Sequence, residues 1–572
     1  MTAPFRTWIG GALALGLAFC GSIAAQTVHL QVRPQLPQKD GNQTVSRCDF
    51  LLSQLAFQNG DGTWLEARKD WFAFVSGKGG HRVFELTGVP AGKYKSVRFL
   101  VGLDQTANAQ DPNQFPPGHA LHPANGLQWE WQGGYIFLAL EGLNRADESG
   151  FSYHLARSGN AVPVTVPLAD FELKKAATIR LDFDVSKIPG GLPGNSTHSR
   201  DGDPVLPILR ERIESAFSLD SIVHDVFQAE PQNRDEVARV LADPGLIPVT
   251  RRFPKVEFPA DNPLTEAGIE LGRQLFFDPI LSKGETQSCA TCHEPARSFS
   301  DGKAVSTGVS GAEGRRSSMP LFNLVWHETF FWDGRAKSLR EQVLMPITDP
   351  AEMGETLENV VAKLNADPEY PALFHAAFDS KSITPDAIAR ALEQFLLTLV
   401  SQDSKFDRAM RREVEFTPEE RRGLELFVTE HDPANGKFGA DCFHCHGGNL
   451  FRSKEFSNNG LNGDFTLDAG LAEISGDRED FGRFKVPSLR NIELTAPYMH
   501  DGRFATLEEV IGHYDSGVKR SPTLDPNLAK HPPAGLNLSD SDKAALISFL
   551  KTLTDPSLIE TAKEECGTFS QP

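Results

Sequence analysis

Beyond its first two dozen residues the chain has no run of about 18 uninterrupted apolar residues, the length a helix needs to cross a bilayer. No membrane span is therefore expected in the mature protein. Basic residues are in deficit: 57 Lys and Arg stand against 76 Asp and Glu, a formal net charge of -19. That balance excludes nucleic acid or an anionic lipid surface as a charge-held partner. It suits an exported enzyme acting on small or neutral substrates. Cysteine is scarce, with seven in 572 residues, and so is tryptophan, also seven. Yet two of the tryptophans, Trp129 and Trp131, stand one residue apart in "NGLQWEWQGGY" (125–135).

The N-terminus reads as an export signal: Arg6, an apolar run from Ile9 to Ala18, and "SIAAQ" (22–26), which offers a small-residue cleavage site after Ala24 or Ala25. Residues 1–25 are assigned to the signal and the mature chain to the periplasm. Cys20 leaves with the signal, and four cysteines lie in two CxxCH motifs. Cys48 and Cys566 remain; in an oxidising compartment they either form a disulfide or stay as two buried thiols.

Residues 27–185 read as β-rich, within an expected domain of 26–230. "TVHLQVR" (27–33) alternates, and the apolar run "SRCDFLLSQLAF" (46–57) is followed by "NGDG" (59–62), a hairpin-type turn. Further short strands separated by Gly, Pro and Asn suggest a β-sandwich. Apolar residues at three-to-four spacing predict a helix over 206–230. A Pro-rich connector spans 231–260. Helical patterns that open on Thr, Ser or Pro then dominate, with boundaries at 261–402 and 403–565. Each CxxCH follows a helix ending in similar words, around Gly272–Phe277 and Gly423–Phe427, a weak internal repeat.

"CATCH" (289–293) and "CFHCH" (442–446) are c-type haem attachment motifs. Cys289, Cys292, Cys442 and Cys445 would bond the haem vinyls, and His293 and His446 would be the proximal iron ligands. A zinc ribbon would pair one CxxC with another, and a redox dithiol needs no trailing histidine. The sixth iron position decides function: a protein ligand makes an electron carrier, an open position a site for peroxide.

"FFWDGRAKSLREQVLMPITDPAEMG" (330–354) and "FKVPSLRNIELTAPYMHDGRFATLEEVIGHYDSG" (484–517) resemble the bacterial dihaem cytochrome c peroxidase family, over roughly residues 255–560. The resemblance implies two cytochrome-c-like helical lobes with one haem each. It places Trp332 between the haems as a charge conductor. It puts Gln342, Pro346 and Glu352 around the first haem, with Glu352 as acid/base for peroxide. Tyr514 falls at the second haem's ligand position, as in the MauG branch, with Met499 as the competitor. The loop that carries a blocking histidine in other peroxidases reads "STGVSGAEGRRSS" (306–318), without one. That implies an open first haem. Carbonyls of Thr495 and Pro497 match a calcium site of the family, whose usual asparagine has only Ser317 or Asn323 nearby.

"SRCDFLLS", "VPAGKYKSVRFLVGLD", "HPANGLQWEWQGGYIFLALEG" and "FSYHL" resemble the MbnP family of extracytoplasmic copper-binding proteins, over roughly residues 27–225. In that family a tryptophan of the WxW motif becomes kynurenine and, with histidines, binds Cu(I). The oxidising partner is MbnH, a MauG-like dihaem enzyme. The resemblance implies copper at oxidised Trp129 (Trp131 as alternative) with His122 and His154; His29, His81, His119 and His198 rank lower. The expected architecture is an N-terminal all-β sandwich followed by a mainly α dihaem peroxidase of two cytochrome c lobes. The expected function is a peroxide-dependent oxidase whose protein substrate is its own N-terminal domain. The alternative is a conventional peroxidase fed by a small electron donor.

Overall fold

The computed structural model describes residues 25–558 apart from 38–40, 67, 69, 79–82, 117, 129–133, 225–238, 242–246, 248, 251, 381 and 434–435. The expected export signal up to residue 24, His81, Trp129, Trp131 and Cys566 lie outside the described residues.

The N-terminal half is strand-rich. In chain order its strands are β1 (Ala25–Gln35), β2 (Gln43–Asn59), β3 (Trp64–Glu66), β4 (Phe72–Ser76), β5 (Val83–Pro90), β6 (Gly92–Val101), β7 (Ile136–Asn144), β8 (Ser149–Ala156), β9 (Val162–Leu173), β10 (Ala177–Asp184), β11 (Ser196–Thr197) and β12 (Phe217–Val223). A smaller sheet runs β12-β10-β1-β5. The larger runs β11-β8-β7-β2-β6-β9, with β3 and β4 also paired to β2. Alternation sets the faces: β1 buries Val28, Leu30 and Val32 at every second position. Phe50 of β2 meets Phe183 and Phe217 of the smaller sheet at ring-centroid distances of 4.9 and 6.1 Å, closing the sandwich. Each such buried ring contributes about 1.5–3 kcal/mol of transfer free energy. The expected turn at 59–62 forms, with Gly62 N donating to Asn59 O.

One sequence expectation fails. The helix predicted over 206–230 stops at Ala216, and Phe217–Val223 is β12, antiparallel to β10 with Phe217 opposite Phe183 and Leu219 opposite Leu181. Phe217 and Leu219 alternate with Ser218 and Asp220, so the same residues satisfy a two-residue period once the edge of the smaller sheet is beside them. The connector is also more than a tether. Phe253, Val256 and Phe258 are buried, Glu257–Pro259 pairs with Arg239–Leu241, and Phe253 packs on Trp326 at 5.4 Å.

The helical half contains two lobes built alike. In the first, helix Glu266–Phe277 crosses helix Pro385–Thr398; in the second, Pro418–Phe427 crosses Asp540–Lys551. Thr265, Thr384, Thr417 and Ser539 cap these four helices by accepting from the backbone N–H three residues on. The repeat seen in sequence has a physical basis. A Cβ on Gly272 would overlap the carbonyl of Ala391, and one on Gly423 that of Ala545. Only glycine lets the helices approach so closely. Beside each crossing a phenylalanine pair packs, Phe276–Phe395 at 5.3 Å and Phe427–Phe549 at 5.2 Å.

The two halves are docked. Residues 136–143 of β7 and 150–156 of β8 are all buried, unlike strands with one wet face. Their outer cover is the second lobe: Gly150 lies so close to helix Pro526–Ala529 that a Cβ there would overlap the Pro526 carbonyl. Asn527 Nδ2 donates to Glu141 Oε2 at 3.1 Å across the seam.

Candidate functional site

Both CxxCH histidines are prepared for iron in the same way. His293 Nδ1 lies 2.8 Å from the Phe299 carbonyl, and His446 Nδ1 lies 3.2 Å from the Pro487 carbonyl and 3.4 Å from that of Phe451. A carbonyl on Nδ1 fixes the tautomer that offers Nε2 to a metal. Phe299 and Phe451 both adopt left-handed backbone (φ 60° and 49°), which turns each carbonyl back on its histidine. Burial lowers the pKa of both imidazoles, that of His446 to about 4, so each is a neutral donor. These residues fit covalent haem c at both motifs.

Beside the first motif, Phe331, Arg335, Met345, Pro346, Asp349 and Glu352 line a cavity of about 270 Å³. Pro346 lies inside helix Leu339–Thr348, and Gln342, one turn earlier, shares its face. Burial raises the thiol pKa of Cys289 and Cys292, and Glu352 is close enough to add to it, which places Glu352 at the haem-attachment loop. Its own carboxyl is pushed up by burial, then by Asp349, with Arg335 opposing. Arg335 pairs with Asp333 at 3.0 Å and lies over the Phe331 ring at 3.6 Å, at the cavity wall.

The histidine-free loop 306–318 is tied down. Val309 N donates to Glu352 O at 2.8 Å, Thr307 bridges Glu313, and Gly308 packs on the Ala351 and Glu352 carbonyls. Arg316 binds Asp333 of the first lobe at 2.6 Å and Asp468 of the second at 2.7 Å. Trp332 sits at this lobe junction. Its Nε1 donates to Ser317 O at 3.0 Å, its carbonyl accepts from Lys485 N, and its ring lies 6.5 Å from that of His500.

Tyr514 stands on a π-helical turn, His513–Gly517, next to the second motif: Cys445 and Cys442 both act on its phenol, whose pKa burial raises. Met499 lies nearby, with Asn459 Nδ2 3.4 Å from its Sδ; the same Asn459 hydrogen-bonds Tyr514. Thr495 and Pro497 flank this segment. Asn323 is engaged with the Ser401 backbone and Ser317 Oγ with the Met499 carbonyl.

The histidines expected at copper separate. His122 is buried at the start of a short 3-10 turn, where its Nδ1 accepts from Ala124 N at 3.1 Å. His119 stacks on Phe115, and His29 lies on β1 facing Glu85. His154 instead meets His198 and His444. One ligand nitrogen of each lies within 4.8 Å of the others, the one such three-residue group among the described residues. His198 is among the lower-ranked copper candidates in the sequence, and His444, inside CFHCH, is not among them. Nothing local marks His444, because haem attachment leaves the residues between the cysteines free.

Two haem-ready histidines, an acid-lined cavity beside one of them and paired helical lobes define a two-haem c-type oxidoreductase. The chain belongs to the di-haem cytochrome c peroxidase family, whose model matches residues 266–415. It is 38% identical over 305 residues to the methylamine utilization protein MauG of Methylorubrum extorquens, spanning 53% of this chain and 82% of that protein. It is 36% identical to the cytochrome c551 peroxidase of Nitrosomonas europaea, over 42% of this chain and 71% of that one. Residues 15–200 match the MbnP family model. A solved MauG-like protein associated with microbial copper homeostasis is 37% identical over 54% of this chain and 96% of its own, with a TM-score of 0.48.

Proposed function

We propose that this chain is a periplasmic, peroxide-dependent dihaem oxidase that converts a tryptophan of its own N-terminal domain, Trp129 or else Trp131, to kynurenine for copper binding. The observation that carries the reading is the seam. The strands that follow the WxW stretch, β7 and β8, are buried against the second haem lobe, and Gln128 and Tyr135 bridge each other on either side of it. Haem c supplies the iron redox chemistry toward hydrogen peroxide. The protein's part is to place groups. Glu352 takes and returns the peroxide proton, and Arg335 offsets its charge. Pro346 and Gln342 shape the cavity, and Trp332 links the lobes. The overall balance is tryptophan plus two hydrogen peroxide giving N-formylkynurenine plus two water, and hydrolysis then releases formate to leave kynurenine.

Peptide mass spectrometry of the haem-loaded chain before and after peroxide tests this. The 127–135 peptide should gain one oxygen and lose one carbon at a single tryptophan. Continued peroxide consumption with that peptide unchanged would refute self-oxidation. That result would favour conventional peroxidase activity, a reading that the nearness of Met499 to Tyr514 across Asn459 supports.

A further inference from the structure

We propose that Arg452, Lys485 and His327 form a buried binding site for a carboxylate at the junction of the two lobes, filled by an edge carboxylate of the second haem or by a small free carboxylate. The site does not depend on tryptophan oxidation.

Elsewhere, buried cations of this fold meet acids. Arg490 holds Asp407 at 2.8 Å, Lys530 holds Asp441 at 3.0 Å and Arg316 holds Asp333 at 2.6 Å. At the lobe junction three basic groups meet each other instead. Lys485 Nζ donates to His327 Nδ1 at 2.8 Å and to the Thr329 carbonyl at 2.6 Å, and it lies 5.4 Å from the centre of the Phe330 ring. Arg452 Nη2 donates to the Trp326 carbonyl at 2.6 Å. Lys485 is 4% exposed and His327 9%. Among the described residues no carboxylate forms an ion pair with Arg452 or Lys485, and Glu328, the acid that acts on Arg452, is exposed. A buried charge without a partner is costly. Burial first, and then the neighbouring cations, hold the pKa of Lys485 and His327 well below the usual values. Burial lowers that of Arg452 to about 10.

The donors left over define the ligand. An ammonium can only donate, so Nδ1 of His327 accepts from Lys485 and its Nε2 carries the hydrogen. That Nε2 is buried and has no hydrogen-bond partner. Lys485 has a third N–H to give, and Arg452 has further guanidinium N–H groups. A site of donors, two of them cationic, repels a metal ion and suits an anion with more than one oxygen. The planar guanidinium matches a carboxylate in particular.

The position favours the second haem as the source. Arg452 follows Phe451, and Lys485 lies two residues before Pro487; the carbonyls of Phe451 and Pro487 are the two that face His446 Nδ1. Haem c keeps two edge carboxylates once its vinyl groups are bonded. Lys485 N also donates to the Trp332 carbonyl at 2.8 Å. Charge held in this cluster therefore acts on Trp332 as well. Uncompensated cations oppose electron removal from that indole, and a bound carboxylate cancels them.

The test uses the full chain with both haems. Lys485→Met keeps the bulk of the side chain and removes one cation. With a haem carboxylate in the site, the variant leaves that anion without its counter-charge. Its melting temperature should fall, and the reduction potential of the second haem should move negative and become dependent on pH as the carboxylate takes up a proton. A free carboxylate would show itself differently. With the first iron blocked by cyanide, one labelled formate per chain should bind to the wild type, at least tenfold more weakly to Lys485→Met, and the second haem's potential should stay flat with pH in both. An empty cluster gives a third result: Lys485→Met relieves repulsion between buried cations, the melting temperature rises, the second haem's potential gains no pH dependence and no formate binds. That result would overturn the proposal, as would a potential shift confined to the first haem. Should Lys485→Met lose haem, His327→Phe decides by the same readouts, since it keeps both cations and removes only the orphan donor.

Discussion

At the scale of single residues, Glu352 carries the clearest pH signature. Burial and Asp349 raise its pKa above the ordinary carboxylate value, so the fold favours the neutral acid. The form that accepts a proton is lost as pH falls through that raised value, and regained above it. Peroxide consumption should therefore decline on the acid side at a higher pH than an unperturbed glutamate would give. Glu352→Gln should abolish that limb and slow the reaction by about 10²–10⁴-fold, as stopped-flow mixing would measure. Tyr514→Phe should alter the optical and electron-paramagnetic spectra of one haem, and Met499→Leu should leave them intact; the opposite result would make Met499 the ligand. The proximal histidines were legible in sequence because thioether chemistry fixes their spacing. His444 was not, since its neighbours at the seam come from strands far away in the chain.

At the scale of elements, the repeat read as similar words before each CxxCH is a pair of glycine-mediated helix crossings. Gly272→Ala and Gly423→Ala each force a methyl group into a facing carbonyl. Each should cost about 1–3 kcal/mol, seen as a lower melting temperature of the haem-loaded chain, with Gly423→Ala loosening the second haem first. Sequence pattern served well for these helices because caps and apolar faces agree. It failed for 217–223, where apolar spacing fits either period and the open edge of the smaller sheet decides. The strands of the sandwich were legible from alternation, but the double burial of β7 was not, because a continuous apolar run does not say what covers its second face.

At the scale of the whole molecule, the seam joins the two halves through buried contacts. Gly150→Leu would drive a side chain into Pro526 and Lys530. Tryptophan oxidation should fall by about tenfold or more, equivalent to at least about 1.4 kcal/mol of lost docking, while peroxide consumption by the lobes persists. Paired measurements of peptide mass and peroxide loss on one sample would separate the two. The polar contacts across the seam, Asn527 to Glu141 and His198 to Glu430, are buried and so poorly screened by salt, and the small-angle scattering profile should stay unchanged between dilute and molar salt. Arg316 has a different bearing. The same guanidinium that anchors loop 306–318 also holds Asp333 to Asp468, and so rivets one lobe to the other. The loop expected to leave the first haem open is thus fixed by the same contact that joins the lobes, and on that reading a freshly purified molecule should meet its first peroxide without a lag in stopped-flow mixing.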